Sequence, residues 1–394
     1  MLALDEFRLD HPALRGDRYA YFERCRATTP MHRRTVNLGD GRSMERIFLL
    51  DYADVKAMLT HEAARRRPPG ATMPTTGTAG FVLNWVVFRD PPEHEALRSL
   101  LQPAFSPQRL RALEARIRHW IDRRLAKLPG TIDVVAEITG PLPLLVLCDL
   151  AGLPADDWPR LRDWSERMTP LLLLESAAPD TFDTEMLVYF EDALERNRGA
   201  DTLMGAMAKA VSEGALSRED AIANVAFLAW AGHETTARLM GNMVSLLLER
   251  PEVLARLRRE PALVGAAVDE ALRLEPPVQI TSRWATADIP VEAGVIPAGS
   301  MVTAVLAAAN RDPARFADAG TFDLDRESQM LASFGFGPHY CLGDRLGRLE
   351  SHLLLQQLLD RFPDWQPVEG GTRWDDSVAM HGLKSLTATF SQAA

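Results

Sequence analysis

The apolar residues of this chain recur with helical spacing through its long middle section. Between residues 92 and 248, nearly every segment places them three or four positions apart, and prolines or glycines mark the breaks. Shorter runs with strand character lie on either side, at 32–37, 46–50, 278–282, 301–306 and 383–390. The pattern predicts a mainly α-helical protein with small peripheral β-sheets.

Two stretches are predicted to lack helices and strands. Gly39-Asp40-Gly41 forms a turn that joins the first two strand-like runs into a small sheet at the N-terminal edge. Residues 66–80, RRPPGATMPTTGTAG, contain too much proline, glycine and threonine for regular structure and predict a loop. Loops of this length usually have a function. No linker, repeat or low-complexity stretch divides the sequence, so we expect one domain over residues 1–394.

The longest predicted helix covers residues 217–250 and is apolar around most of its axis, which indicates that it runs through the core. Its start has a capping box, with Ser217 three residues before Asp220. In its middle, the sequence AGHETT places Glu234 and Thr235 among buried positions, where polar groups need partners. The residues alone leave two explanations open.

In the first explanation, the threonines bond to carbonyls one turn earlier and Glu234 pairs with a cation in the core. In the second, the small residues Ala231 and Gly232 let the helix approach a flat cofactor. A threonine hydroxyl that bonds its own backbone then opens a groove for dioxygen or water. His233 is expected to pack or to form a hydrogen bond in either case.

The overall composition restricts the class of protein. With 46% hydrophobic and 25% charged residues, the chain has ordinary globular composition and enough apolar side chains for an extensive core. A net charge of -10 argues against a nucleic-acid partner, because phosphate binding needs a basic face. No apolar run is long enough to span a bilayer, and the cysteines offer no convincing disulfide framework, which predicts a cytoplasmic protein. Cys25 and Cys148 are interpreted as reduced core residues.

The third cysteine, Cys341, has a distinctive setting in the run FGFGPHYCLG, residues 334–343. Gly335, Gly337 and Gly343 are expected to take positive φ angles and to let the backbone approach a flat cofactor. Leucines at helical spacing follow, so the cysteine lies near the N-terminus of a helix, whose dipole and unpaired N–H groups favour the thiolate. A thiolate in such a loop is interpreted as a ligand of haem iron.

The cysteine run resembles the haem-binding loop of the cytochrome P-450 family. The resemblance covers nearly the whole chain in the same order, from DPPEH through AGHETT, EALR and NRDP to FGFGPHYCLG, and is to the soluble bacterial type. It implies a cytochrome P-450 fold, a large helical domain in which haem b lies between the long central helix and the cysteine-loop helix. Asp344 and Gly347 depart from the family's pattern, and Asp344 adds a negative charge on the thiolate side.

The resemblance also implies a role for each matching residue. Cys341 is the axial ligand of the haem iron, Thr235 holds dioxygen and water, and Glu234 helps to relay protons. Haem carries two carboxylates, which need cations or hydrogen-bond donors at the rim of the pocket. His94, Arg98, Arg283 and His339 occupy the positions of those donors, and the implied cofactor-binding residues are His94, Arg98, Ala231, Gly232, Arg283, Phe334, Gly335, His339, Cys341 and Gly343.

A further match concerns the stability of the fold. The sequence VDEALR places Glu270 and Arg273 three positions apart on one helical face, close enough to pair. Such a pair is weak evidence by itself, since exposed pairs contribute about 0.5 kcal/mol. The order of the motifs that follow matches the family's Glu-x-x-Arg helix, with Arg326 as the arginine that joins the pair. The resemblance therefore assigns these three residues a structural role.

The residues expected to form the substrate pocket are mostly apolar. They lie in the loop 69–88, in the segment 168–187, on the long helix, and in the segments 278–281 and 378–380. Such a lining, with aromatic faces among it, predicts a hydrophobic or amphiphilic small molecule. The individual candidates are Val82, Leu83, Trp85, Phe227, Ala231, Val278, Ile280, Thr281 and Met380.

The predicted function is that of a haem-thiolate monooxygenase in secondary metabolism, which inserts one oxygen atom from dioxygen into a hydrophobic small molecule or couples it oxidatively. The sequence has no flavin or nicotinamide fingerprint, so electrons from NAD(P)H are expected through a separate ferredoxin and its reductase. Arg109, Arg345 and Arg348 are the candidate docking cations. Two alternatives stay open: a haem-thiolate enzyme that uses peroxide or does not oxygenate, and a haem or ligand sensor. The substrate itself depends on pocket shape.

Overall fold

The computed structural model describes residues 7–37, 43–70, 77–126, 128–172 and 184–391. The chain forms two compact units. The first comprises Met1–Ala71, Asp269–Cys341 and Trp374–Gly382, and the second comprises Thr72–Val268, Leu342–Arg373 and Leu383–Ala394. The expected single domain over residues 1–394 stays a prediction.

Helices account for most of the described residues, as the apolar spacing predicts. Among those residues, no helix is both long and apolar enough to cross a membrane. The α-helices are α1 (Arg18–Thr28), α2 (Tyr52–Thr60), α3 (Gly77–Leu83), α4 (Glu93–Leu101), α5 (Pro107–Leu125), α6 (Pro141–Ala151), α7 (Trp158–Leu172), α8 (Thr184–Arg196), α9 (Leu203–Ser212), α10 (Arg218–Leu248), α11 (Pro251–Arg259), α12 (Val264–Leu274), α13 (Leu306–Ala309) and α14 (Asp344–Arg361).

The β-strands form small sheets. They are β1 (Met31–Asn37), β2 (Ser43–Leu49), β3 (Ala64–Arg65), β4 (Gly130–Asp133), β5 (Ile280–Ala285), β6 (Ile289–Val291), β7 (Gly294–Ile296), β8 (Met301–Val305), β9 (Asp364–Trp374) and β10 (Leu383–Ser391). Within the described ranges, the orders are β1-β2-β8-β5-β3, β4-β10-β9 and β6-β7.

The largest of these sheets belongs to the first unit. β1 and β2 pair antiparallel, as their sequence pattern predicts, and the predicted turn at residues 39–41 lies outside the described residues. β2 also pairs parallel with β8, so that Phe48 lies opposite Thr303. The sheet is therefore not confined to the N-terminal edge, because strands from the second half of the chain fill its middle. Phe48 packs on Phe7, with ring centroids 5.0 Å apart, in an apolar cluster beside the sheet.

The second unit is organised around α10. Its N-terminus is as predicted: Ser217 is the N-cap, and its Oγ accepts a hydrogen bond from the backbone N–H of Asp220 at 2.9 Å. Helices α6, α7, α8, α9 and α14 pack against it. Residues 221–226 and 239–248 are buried at both ends of the helix. Other helices thus pack against the apolar residues that surround the axis of α10.

Three elements differ from the predicted pattern. α3 begins at Gly77, inside the segment predicted as a loop, and Phe81 on this helix packs edge-on against Trp85 with ring centroids 6.4 Å apart. β4 lies in the section predicted to be helical and pairs antiparallel with β10. β9, the other neighbour of β10, has no counterpart among the predicted elements. Packing and strand pairing with distant segments outweigh local composition in these places.

The predicted structural network lies within the first unit. Arg273 is fully buried, and its guanidinium forms two hydrogen bonds with the carboxylate of Glu270, at 2.6 Å and 2.8 Å. Arg326 donates to the same carboxylate at 3.1 Å. Arg273 also donates to the carbonyl oxygens of Asn310, Ala319 and Thr321. The network joins α12 to the segment that follows α13. Its buried charges compensate one another, because the carboxylate of Glu270 is bonded to both arginines.

We predict that Glu270→Ala lowers the free energy of unfolding by about 3–5 kcal/mol, because the change leaves the buried charge of Arg273 uncompensated. The matched control is Glu166→Ala, which removes an exposed i,i+4 partner of Arg162 at 2.7 Å and should cost at most about 0.5 kcal/mol. Urea unfolding followed by circular dichroism measures both. If both variants lost the same small amount of unfolding free energy, the buried network would not stabilise the fold as predicted.

Candidate active site

The cysteine loop has a closed backbone conformation within the first unit. Cys341 follows a short 3-10 turn, Gly337–His339, and the backbone N–H of Cys341 donates to the carbonyl oxygen of Phe334 at 3.0 Å. The Cys341 side chain is half-buried. α14 begins three residues later, at Asp344. The cysteine therefore lies just before a helix N-terminus, as predicted, where the helix dipole favours a thiolate.

The glycines of this loop do not all have the same role. Gly335 and Gly337 take positive φ angles, 68° and 72°. A β-carbon on Gly337 would lie 2.6 Å from the carbonyl oxygen of Leu59, so no larger residue fits there. The expectation of a positive φ at Gly343 is wrong, because this residue is the N-cap of α14 with φ -92°. The nearest atom to a β-carbon on Gly343 would be in the ring of Phe105, at 4.0 Å.

The other two cysteines are core residues, as expected. Cys25 and Cys148 are both 0% exposed. Burial raises the pKa of the Cys148 thiol to about 12, so it stays protonated and unreactive. The half-buried Cys341 is the cysteine whose position suits metal binding.

The middle of α10 is accessible although both of its ends are buried. The partly exposed residues recur with helical spacing and are Phe227, Trp230, Ala231, Gly232, Glu234, Thr235, Ala237 and Arg238. No atom lies within 4 Å of a β-carbon built on Gly232. Between its two buried stretches the helix is therefore accessible, and the small residues Ala231 and Gly232 there leave room for a flat ring.

The acid and the alcohol of AGHETT both have partners within α10. Thr235 Oγ1 donates to the carbonyl oxygen of Ala231 at 2.7 Å, the bond to the preceding turn that the sequence suggested. Glu234 Oε1 accepts hydrogen bonds from Arg238 at 2.6 Å and 3.1 Å, and both side chains are mostly buried. Thr235 keeps its lone pairs for another donor, while one carboxylate oxygen of Glu234 is held by the guanidinium of Arg238.

His233 has a structural position on the opposite side of the helix. The residue is 3% exposed, and its Nδ1 lies 2.8 Å from Oγ of Ser165 on α7. Burial lowers the pKa of His233, so the imidazole is neutral near pH 7. The predicted hydrogen bond is confirmed.

α10 and α14 approach each other closely beside the acid–alcohol pair. A β-carbon on Gly347 of α14 would lie 3.6 Å from Oγ1 of Thr236 on α10. The glycine, which departs from the family's pattern, thus stands at a helix–helix contact within the second unit. The two helices that the resemblance places on either side of haem are in direct contact here.

One turn along α14 from this contact lies a buried carboxyl group, Glu350. The residue is 2% exposed, and its Oε2 has no hydrogen-bond partner among the described residues. Burial raises the pKa of Glu350 to about 8. Because an isolated charge in the core is costly, the carboxyl group is mostly protonated at neutral pH.

The four predicted propionate contacts are divided between the units. In the second, His94 and Arg98 lie one turn apart on α4, with His94 2% exposed. In the first, Arg283 on β5 is 5% exposed, and its guanidinium donates to the carbonyl oxygen of Ser282 at 2.9 Å. His339 is half-buried in the turn before the cysteine. Each unit thus contains one arginine and one histidine of the predicted set.

The predicted substrate-pocket residues are also divided between the units. Within the first, Val278 forms an isolated β-bridge with Met380, next to Ile280 and Thr281 at the start of β5. Within the second, Val82, Leu83, Phe227 and Ala231 are partly exposed, whereas Trp85 is 0% exposed. Residues 71–76 and the side chains of residues 170–183, which also belong to the predicted lining, lie outside the described part of the chain.

The candidate docking cations carry less unpaired charge than the sequence suggests. Arg109 pairs with Asp201 at 2.5 Å, and Arg348 pairs with Asp344 at 3.4 Å, which offsets the extra negative charge of Asp344. Arg345 is exposed. Exposed pairs of this kind are weak, so Arg109 remains able to exchange its partner.

Comparisons with known proteins agree with this site. A family model described as cytochrome P-450 matches residues 189–387. The chain is 34% identical to cytochrome P-450 107B1 of Saccharopolyspora erythraea, over 98% of this chain and 96% of that protein. It is 32% identical to the cytochrome P-450 monooxygenase PikC of Streptomyces venezuelae, over 94% of this chain and 90% of that protein. The crystal structure of CalO2 matches with a TM-score of 0.88 and 31% identity, over 99% of this chain and 100% of that chain.

The chain belongs to the cytochrome P-450 family. It has the cytochrome P-450 fold and is an oxidoreductase of the monooxygenase class. Membership implies haem as the cofactor, and the residues present fit it: a thiol at a helix start in a glycine loop, and a core helix open along the middle of one face.

Three side chains of the site were not found from the sequence. Arg238 holds Glu234, and its signal was the i,i+4 spacing of an acid and a base on one helix. Ser165 holds His233 from α7, and no local pattern marks it. Glu350 looks like an ordinary exposed residue of an amphipathic helix, because only packing shows that its position is covered.

We predict that Glu350 contributes a fall in the free energy of unfolding as pH rises from about 5 to about 8, and that Glu350→Gln removes this contribution. The folded pKa of Glu350 lies above its value of 4.5 in the unfolded chain, so the folded state holds a proton that the unfolded state has lost. One such proton gives a slope of about 1.4 kcal/mol per pH unit.

Urea unfolding across this pH range measures the difference between the wild type and the variant. Glu114→Gln, which changes a carboxylate on α5 that pairs with Arg118 at the surface, is the control and should keep the wild-type slope. An unchanged slope in Glu350→Gln would mean that the carboxyl group is ionised in the folded protein.

Proposed function

We propose that this monooxygenase takes its oxygen atom from dioxygen, that Cys341 is the thiolate ligand of its haem iron, and that a hydrophobic small molecule of secondary metabolism is the substrate. The observation that carries the proposal is the open middle of α10, where a carboxylate and a hydroxyl lie on the accessible face of a core helix. Polar groups are costly in such a place unless they serve the chemistry of a bound group.

The half-buried thiol, the helix start behind it and the two glycines with positive φ support the ligand assignment of Cys341. Haem bound through a thiolate supplies the redox chemistry that cleaves dioxygen and transfers one of its atoms. Gly337 lets the loop lie against the end of α2, where a side chain would collide with Leu59.

Thr235 and Glu234 are the residues that hold and move protons. Because the Thr235 proton is donated to Ala231, the oxygen lone pairs accept a hydrogen bond from water or from an oxygen species on the open face. Glu234 exchanges protons with the same water, and the hydrogen bond from Arg238 orients its carboxyl group. His94, Arg98, Arg283 and His339 bind the haem carboxylates, for which arginine forks are well suited.

The substrate side of the proposal rests on the apolar candidates Val82, Leu83, Phe227, Val278 and Ile280. They indicate a hydrophobic or amphiphilic molecule, which matches the preference of concave apolar sites.

Electrons from NAD(P)H arrive through a ferredoxin and its reductase, with exposed Arg345 and the exchangeable Arg109 as docking cations.

We predict that the purified protein, reduced with dithionite and exposed to carbon monoxide, gives a strongly red-shifted Soret band that Cys341→His abolishes. Thiolate ligation produces the shift, and an imidazole does not. Cys148→Ala is the control and should keep the band, because Cys148 is a fully buried thiol with a raised pKa. A folded, haem-loaded wild type without the shift would contradict the proposal.

We predict that Thr235→Ala lowers the amount of product formed per NAD(P)H consumed by about 10²-fold, the usual contribution of a positioned proton-transfer group. The substrate is a compound from a screen for displacement of the iron-bound water, and the measured quantities are NAD(P)H, dioxygen and product. Thr236→Ala, on the neighbouring residue that faces α14, is the control and should keep the wild-type ratio.

The same assay separates the alternatives. Turnover with peroxide alone, and none with dioxygen and donor proteins, would favour a peroxide-using enzyme. Binding without turnover in the wild type and both variants would favour a sensor.

A further inference from the structure

Within the first unit, helix α2 lies against the segment 330–341, which ends at the cysteine. It packs on the two 3-10 turns of this segment, Ala332–Phe334 and Gly337–His339. At the C-terminal end of α2, a β-carbon on Gly337 would lie 2.6 Å from the carbonyl oxygen of Leu59. At the N-terminal end, the side chain of Tyr52 reaches the same segment. The helix therefore supports the segment from two residues that are about 10 Å apart along its axis.

The Tyr52 side chain contacts the segment through its hydroxyl and through its ring. Its Oη donates a hydrogen bond to the carbonyl oxygen of Met330 at 2.6 Å. Its ring meets that of Phe336 edge-on, with centroids 5.5 Å apart and an angle of 80° between the planes. Both residues are buried, Tyr52 being 7% exposed and Phe336 2%. One side chain thus holds the segment on both sides of the turn Ala332–Phe334.

Tyr52 is itself held in place by the residues that follow α13. Its backbone N–H donates to Oδ2 of Asp312 at 2.9 Å, and Asp312 is 4% exposed. The fully buried ring of Phe316 meets the Tyr52 ring edge-on at 5.9 Å, and the guanidinium of Arg315 lies 5.2 Å from its centroid. Burial raises the pKa of the Tyr52 phenol, so the hydroxyl keeps its proton and stays a hydrogen-bond donor at neutral pH.

The backbone between the two Tyr52 contacts is bonded to the cysteine. The carbonyl oxygen of Phe334 accepts a hydrogen bond from the backbone N–H of Cys341 at 3.0 Å. Because Phe334 lies between the two residues that Tyr52 holds, a shift of the backbone at either of them moves the acceptor of this bond. Groups behind a metal ligand orient the ligand in this way.

We propose that Tyr52 is a positioning residue for the haem thiolate: through Met330 and Phe336 it fixes the segment that presents Cys341 to the iron. The inference rests on the proposed function, since it takes Cys341 as the iron ligand. The orientation of a thiolate and its electron donation depend on the groups that hold it. Without the Tyr52 hydroxyl, the carbonyl of Met330 loses a donor, and the sulfur is expected to leave the iron more readily.

The first measurement follows the reduced carbon-monoxide complex of the haem-loaded protein in urea, below the concentration that unfolds it. Loss of the red-shifted Soret band reports loss of the thiolate from the iron. Tyr52→Phe removes the hydroxyl and keeps the ring, and it should speed this loss about fivefold, the usual effect of one hydrogen bond. Asn310 also holds the segment, by accepting from the N–H of Ala332 at 2.7 Å, so the variant is expected to fold.

The matched control is Tyr21→Phe, in the apolar cluster of the same unit. Tyr21 is 0% exposed, and its hydroxyl accepts a hydrogen bond from the backbone N–H of Arg8 at 2.7 Å. The change removes a tyrosine hydroxyl with a backbone partner, as Tyr52→Phe does, but its partner lies outside the segment 330–341. The red-shifted band should therefore be lost at the wild-type rate.

The second measurement is the reduction potential of the haem iron in buffer without urea, which a purely structural role of Tyr52 would not move. A thiolate that is held less firmly donates less electron density, so Tyr52→Phe should make the potential more positive. Tyr52→Leu, which also removes the ring contact with Phe336, should shift the potential further in the same direction. Tyr21→Phe should keep the wild-type potential.

The wild-type spectrum distinguishes the two ways in which the inference can fail. If the wild type has the red-shifted band and Tyr52→Phe keeps the wild-type rate and potential, the inference is overturned and Cys341 remains the ligand. An equally fast loss of the band in Tyr21→Phe would overturn it as well. A folded, haem-loaded wild type without the band would overturn the inference together with the ligand assignment on which it rests.

Discussion

The cost of burying polar groups inside α10 is the constraint on which the rest of the site depends. The helix runs through the core of its unit and still carries an amide, an imidazole, a carboxylate and a hydroxyl. Asn224 is bonded to the backbone around Trp85, His233 to Ser165, Glu234 to Arg238, and Thr235 to Ala231. The bonds of Asn224 and His233 fix neighbouring elements against the helix, whereas those of Glu234 and Thr235 lie within it and orient the acid and the alcohol.

Among the buried polar groups with an atom that lacks a partner within the described residues, two outside α10 are informative. Glu350 has an oxygen without a donor, and Trp85 has an N–H without an acceptor, among the residues that the structure describes. A carboxyl group can lower its cost by taking up a proton, which an indole cannot do. Glu350 can therefore become neutral, while the indole of Trp85 stays an unsatisfied donor among the described residues.

Local sequence patterns found the elements whose signals lie within a few residues. The Ser217 cap, the helix after Cys341 and the pairing of Glu270 with Arg273 follow from spacing alone, because their partners are one turn away. Gly343 was misjudged, since a glycine before a helix serves as a cap as readily as it takes a positive φ. β4 and β9 were missed because their pairing partner, β10, is distant in the sequence.

The sequence by itself determined the class of protein: a helical fold, a thiolate loop and an acid–alcohol pair follow from residue types at fixed offsets, which local backbone chemistry makes specific. Only the tertiary structure decided which of these groups have partners. Arg238, Ser165 and the Asn224 bonds, the covered positions of Glu350 and Trp85, and the open face of α10 all arise from contacts between segments. Burial and hydrogen-bond satisfaction are properties of the packed chain, and no local pattern contains them.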